Sequence, residues 1–215
     1  MTAITDRPIC LSGGAEGADL QFGMCAGAMG HMVVHYSFAG HRTQAPAAEL
    51  VVLGPEQLAE ADPHLIRACQ TLGRATPFHK PWVINLLRRN YFQIKDTESV
   101  YAVADLIQGK IDGGTAWAAQ MFIDRFPAGE ALPLYLFDQI EGVWTQWMGN
   151  EFLIIDGNPG HPPPPKGVWT GIGTSKNLRP NGKQAIRFIV GYEDPDRLAT
   201  AIAENRQPVE TEKTP

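Results

Sequence analysis

Hydrophobic and polar residues follow two periods along this chain, and the switches between them mark out its elements. Residues 7–12 form a short apolar run read as a strand. Residues 16–29 carry Leu20, Met24 and Ala28 at i, i+4 and i+8, the stripe of a helix, and Gly30 stops it. Residues 31–36 then alternate as a second strand, completing a strand–helix–strand unit of the size of a right-handed crossover. Residues 37–54 show no period and are expected to be irregular. Residues 55–73 are helical in pattern, with Pro63 dividing them into two short helices. A longer helix is predicted over 82–95 and a third strand over 99–104.

A helix over 115–126 and a strand from Leu132 to Phe137 come next. Two apolar runs, Val143–Trp147 and Phe152–Ile155, flank Gly149-Asn150 and predict a hairpin. The loop over 157–167 is proline-rich and reads as a stiff polyproline II spacer. Gly171-Ile172-Gly173-Thr174-Ser175 is read as a turn, followed by a helix from Gly182 to Val190. A short helical stretch near Arg197–Glu204 and a polar tail follow. Alternating strands and helices predict an α/β fold, a mostly parallel sheet with helices on both faces, plus a C-terminal β-hairpin. The expected division is one domain over 1–190, with the hairpin and proline-rich loop at about 140–170, then a C-terminal helix and tail over 191–215.

Charge and cysteine content narrow the function classes. A net charge of −5 argues against a broad nucleic-acid surface, which needs clustered positive charge. No apolar run nears the roughly 18 residues of a membrane span, and no basic segment with an apolar one after it opens the chain. The three cysteines, Cys10, Cys25 and Cys69, lack Cys-x-x-Cys spacing and read as buried thiols of a cytoplasmic protein. His31 and His35 are four apart, but in a strand that spacing does not build a metal site. No Gly-x-Ser-x-Gly elbow supports a serine triad. Neither a metal nor a cofactor is expected.

The chemistry concentrates at two glycine turns. Ser12-Gly13-Gly14-Ala15-Glu16-Gly17-Ala18-Asp19 follows the first strand and leads into a helix. Asp112-Gly113-Gly114-Thr115-Ala116-Trp117 also follows a strand-like run, Val100-Tyr101-Ala102-Val103-Ala104, and opens the helix at 115. Glycine lets the backbone come close to a ligand, and a helix start offers N–H groups and partial positive charge to an anion. Neither turn is the dinucleotide or P-loop motif. If the strands bracket the first strand on both sides, both turns face one crevice at the strands' carboxyl ends. Candidate ligand-binding residues are then Ser12, Gly13, Gly14, Gly17, Gly113, Gly114, Thr115, Trp117 as a stacking ring, and Asn85, Arg89 and Asn90 from the preceding helix. Thr115 equally suits a helix cap, and Trp117 equally suits the core. Arg89 has the planar fork that matches two phosphate oxygens, and adjacent Arg88 points about 100° away.

Together these motifs resemble the SLOG superfamily, which includes the Lonely Guy phosphoribohydrolases and the DNA-processing proteins. The likeness rests on Ser12–Asp19 and on Asp-Gly-Gly-Thr-x-x-Ala-x-Gln-Met from Asp112 to Met121. Within that superfamily the chain is most similar to phage and prophage proteins. Those share Asn-Leu-Leu-x-Arg-Asn (Asn85–Asn90), Phe-Asp-Gln (Phe137–Gln139), Trp-x-x-Trp (Trp144–Trp147) and Gly-Ile-Gly-Thr (Gly171–Thr174). The resemblance implies a Rossmann-like fold, a nucleotide-derived ligand and a homodimer. In Lonely Guy enzymes a glutamate follows the second glycine turn and serves N-glycosidic cleavage. That position here is Gln120, which can hydrogen-bond a ribose or base but cannot act as a carboxylate. A hydrolase would need Glu16, Asp19, Asp112 or Asp138 in its place. The expectation is therefore a sensor or sequestering protein for a nucleotide or ribose-phosphate metabolite. An N-glycosidic hydrolase is the alternative and a single-stranded DNA binder the third class.

Overall fold

The computed structural model describes residues 7–192. In chain order its main elements are β1 (Ile9–Ser12), α1 (Ala18–Ala28), β2 (Met32–Phe38), β3 (Leu50–Leu53), α2 (Pro55–Ala59), α3 (Asp62–Leu72) and α4 (Pro81–Ile94). There follow β4 (Ser99–Ala104), β5 (Leu106–Ile107), β6 (Lys110–Ile111), α5 (Thr115–Ile123) and β7 (Ala131–Asp138). The last are β8 (Val143–Met148), β9 (Phe152–Ile154), β10 (Val168–Gly173) and α6 (Pro180–Ile189). Eight strands form one sheet in the order β3-β2-β1-β10-β4-β7-β8-β9, parallel from β3 to β7 and antiparallel across the β8–β9 hairpin. This is the expected α/β, Rossmann-like arrangement.

Parallel strands covered on both faces must bury successive residues, not every second one. In β4, Val100, Ala102 and Ala104 join the core under α3, α4 and α5, with Leu65, Ile84, Phe122 and Ile172. Tyr101 and Val103 of the same strand point to the other core, with Phe22 of α1, Ile186 of α6 and Trp169 of β10. The helix pair on one face and the trio on the other leave the carboxyl ends of β1, β10 and β4 open between α4 and α5.

Three readings of the sequence are corrected. Residues 50–53 are not irregular: Leu50-Val51-Val52-Leu53 is an apolar run that pairs with β2 from His35↔Leu50 to Phe38↔Leu53. Its position at the sheet edge leaves Val51 and Val52 exposed, which hid the strand pattern. Second, Gly171 to Gly173 are not a turn but the end of β10, a central strand between β1 and β4. Glycine is needed there for close packing. A Cβ at Gly171 would run into the Phe22 ring, and one at Gly173 into the Val103 carbonyl oxygen. Gly173→Ala is accordingly expected to lower stability by about 1–3 kcal/mol, read as a lower urea midpoint at unchanged m-value.

Third, the small β5–β6 ribbon stands between β4 and the second glycine turn, so that turn does not follow the strand directly. The expected hairpin is β8–β9 at the sheet edge, and β10 after it returns to the middle of the sheet. Smaller shifts affect two helices, which end at Ile123 and begin at Pro180. The predicted break at Pro63 is present, with α2 and α3 on either side of Glu60 and Ala61. In the proline-rich loop Pro162 and Pro165 are buried while Pro163 and Pro164 are exposed, the three-residue period of polyproline II. The stretch near Arg197–Glu204 lies outside the described residues. Among the described residues no helix is long and apolar enough to cross a membrane.

Candidate functional site

A cavity of about 490 Å³ opens at the carboxyl ends of β1, β10 and β4, a volume suited to a small organic ligand. Strands β2 and β4 lie on opposite sides of β1, so the order reverses here as the crevice rule requires. Its wall includes Ala15 and Glu16 of the first glycine turn and Asp112, Gly113, Gly114 and Thr115 of the second. Helix α4 adds Val83, Leu86, Leu87, Arg89, Asn90 and Gln93, and α5 adds Trp117 and Ala118. The two turns therefore do meet, but they do different work.

The second turn is open. Gly113 has φ 67, a left-handed conformation that favours glycine, and a Cβ at Gly113 or Gly114 would meet nothing within 4 Å. Helix α5 has no side-chain cap. Among the described residues the N–H groups of Gly113, Gly114, Thr115 and Ala116 have no hydrogen-bond partner. Thr115 is buried in the wall and does not cap the helix.

The first turn is closed by the protein itself. A Cβ at Gly13 would fall on the Arg89 guanidinium, one at Gly14 would meet Thr43 and His35, and one at Gly17 would meet the Thr174 and Ser175 carbonyl oxygens. The Ala18 N–H donates to Thr174 O at 3.0 Å, and the Ser12 hydroxyl donates to Asp19 O at 2.7 Å. Ser12, Gly13, Gly14 and Gly17 are thus packing residues outside the cavity wall, because Arg89 and the Thr174–Ser175 segment after β10 occupy the space a phosphate would need.

Arg89 and Asp19 form the buried floor. Arg89 Nη1 donates to Asp19 Oδ2 at 2.8 Å and to Gln93 Oε1 at 2.7 Å, and Arg89 is 3% exposed. Asp19 Oδ1 accepts the Gly173 N–H at 3.2 Å. Burial pushes the Asp19 carboxyl above its ordinary value, against the opposing pull of Arg89 and of these hydrogen bonds. The Arg89 Nε is buried without a partner among the described residues. Arg88 points elsewhere, bonding both oxygens of Asp62 at 2.7 Å and the Asn85 side-chain oxygen at 3.2 Å. Asn85 is therefore held on the outer face of α4 and is not in the wall, whereas Asn90 is.

Two more candidates fall outside the cavity. Gln120 sits a turn further along α5, where its amide donates to Asp124 Oδ1 at 2.8 Å. Asp138 accepts the Leu106 and Ile140 N–H groups at 3.2 and 2.9 Å, closing the turn after β7, and burial raises its pKa despite those bonds. Trp117 lines the cavity, but its indole N–H donates to Cys69 Sγ at 3.1 Å and the Arg74 guanidinium lies 4.4 Å from the ring centroid. Glu16 and Asp112 are exposed in the wall. His31 accepts the Trp169 indole N–H at 3.3 Å, a packing role. Among the described residues no group of three His, Cys, Asp or Glu is placed to hold a metal.

The wall also holds residues that the sequence did not single out: Gln93, Asp105, Ser175, Lys176 and Asn177. Asp105 directly follows β4, and the crevice rule marks that position as soon as β4 is placed centrally. Its two oxygens are engaged, one by Gln139 at 3.1 Å and the other by Arg179 at 2.7 Å. Ser175 to Asn177 follow β10, and reading Gly171–Ser175 as a turn rather than a strand end gives them no place at the crevice. No model of a known protein family, no curated protein and no solved structure matches this chain.

Proposed function

We propose that this protein binds a nucleotide or ribose-phosphate metabolite as a sensor or sequestering protein, in the manner of the SLOG superfamily its motifs resemble. The observation that carries this reading is the unpartnered start of α5, whose N–H groups and helix dipole suit a phosphate. Leu86, Leu87, Ile172 and Trp117 supply apolar surface in the same wall for a base, and Lys176 and Arg89 supply positive charge. Three buried cysteine thiols, none in a disulfide, fit a cytoplasmic protein.

Binding without cleavage is the first choice because Gln120 is turned away and Asp19 is committed to Arg89. The hydrolase reading rests on Glu16 and Asp112, the exposed carboxylates of the wall. A thermal-shift screen against nucleoside phosphates, NAD and ADP-ribose, with chromatography for released base, separates the two. A ligand at 100 times its Kd is expected to add about 2.7 kcal/mol, a rise of about 5–10 °C in a chain of this size. Gly114→Asp sharpens the test. Position 114 has φ −70 and open space, so the variant folds, but its carboxylate stands beside the N–H groups and repels an anion. The expected outcome is an unchanged apo melting temperature with the ligand-induced rise lost. A rise that survives in Gly114→Asp counts against the α5 site, and no rise with any ligand sinks the nucleotide reading.

A further inference from the structure

We propose that Arg74 is a positioning residue for the cavity: it fixes the Gly113–Gly114 peptide with its carbonyl turned away from the ligand and its N–H turned in. The purpose of this arrangement rests on the nucleotide-binding reading above. The arrangement itself rests on separate observations.

Arg74 is anchored before it reaches the turn. Gly73 ends α3 in a left-handed conformation, and the Arg74 N–H donates back to Cys69 O at 2.9 Å. From there Nη1 donates to Gly113 O at 3.1 Å, and the flat guanidinium covers the Trp117 ring. Trp117 in turn donates to Cys69 Sγ, so α3 and the start of α5 are tied by two side chains and a thiol. The Arg74–Gly113 bond is the one hydrogen bond on the Gly113–Gly114 peptide among the described residues.

That bond has a geometric consequence. The Gly113–Gly114 peptide is trans, so its C=O and N–H point in opposite directions. Gly113 and Gly114 are in the cavity wall and Arg74 is not. Holding the carbonyl on Arg74 therefore leaves the Gly114 N–H toward the cavity, where it has no partner. No other hydrogen bond among the described residues holds this peptide. It is flanked by two glycines, and no atom lies within 4 Å of a Cβ built on either. A rotated peptide would present a carbonyl oxygen where an anion is to sit. The Nε of Arg89, a residue of the same wall, is buried without a partner among the described residues.

The test uses the full chain labelled with ¹⁵N and inorganic phosphate as the probe. In the wild type, phosphate is expected to shift the Gly114 amide resonance. In Arg74→Ala the Gly114 resonance is expected to move or broaden before any phosphate is added, with the rest of the spectrum retained, and phosphate affinity to fall at least tenfold. Arg74→Lys, which keeps a donor for Gly113 O, is expected to restore both. A Gly114 resonance and a phosphate Kd unchanged within twofold in Arg74→Ala overturn the proposal while leaving the nucleotide reading in place. If phosphate does not bind the wild type, yet Arg74→Ala still displaces the Gly114 resonance, the nucleotide reading fails and the positioning role stands.

Discussion

Arg89→Ala is expected to lower the free energy of unfolding by about 3–5 kcal/mol, the cost of breaking a buried ion pair from one side. The Arg89 side chain is 4% exposed and that of Asp19 is 9% exposed, so removing the guanidinium strands a carboxylate that water cannot reach. Gln93 Oε1 loses its donor in the same step. The space beside Gly13 that the guanidinium fills becomes a void. Urea titration reads the loss directly. The companion is Arg89→Met combined with Asp19→Asn, which removes both charges and keeps most of the volume. That double variant is expected to be more stable than Arg89→Ala. A midpoint for Arg89→Ala within about 1 kcal/mol of wild type would mean that the pair is effectively solvated, as exposed pairs are.

Acidification is the second large effect. His35 and His41 are both lowered from 6.5 to about 4, first by burial and then by the charge of Arg89. Both are therefore neutral at pH 7, and the 3.5 Å approach of His35 Nε2 to Glu49 is not an ion pair there. Between pH 6.5 and about 4 the unfolded chain binds protons at these positions and the folded chain does not, so stability falls as pH falls. From pH 7 to pH 5 each histidine is expected to remove about 2 kcal/mol. Asp19 and Asp138 act in the opposite sense. Their carboxyls are raised by burial, so the folded state gains protons first as pH falls toward the ordinary carboxylate range. The histidine share is isolated by comparison with His41→Phe, which keeps the stack on Phe38 and the contact with Trp82. The variant is expected to lose about 2 kcal/mol less than wild type over the same interval. Equal losses would show that His41 titrates normally in the folded protein.

Local signals in the sequence read well. The unit from β1 to β2, the break at Pro63, the β8–β9 hairpin and the open turn at Gly113 each depend on residues within a few positions of one another. Arg89, rather than Arg88, faces the cavity, as one of two adjacent helical residues must. What the sequence hid depends on distance along the chain. Gly13 is small because Arg89, 76 positions later, lies against it, and whether a cation is free for a ligand depends on Asp19, 70 positions from it. The glycines of β10 look like a turn until Phe22 and Val103 are seen pressing on them. Gln120 sits two positions past Ala118 of the wall but follows the helix away from it, and Asp138 at the end of β7 closes the turn there instead.

The place of β10 also sets an order for building the molecule. It is the last strand among the described residues, yet it fills the slot between β1 and β4. A nascent chain that has emerged only as far as β9 carries two facing strands with empty hydrogen-bonding edges and no neighbour to join them. Such edges invite pairing with other chains. The cavity shares this dependence, because Ile172 and Gly173 of β10 and the following Thr174 to Asn177 form part of its wall. Neither half of the sheet holds the complete cavity on its way to the folded state, so the cavity arrives with the closing strand.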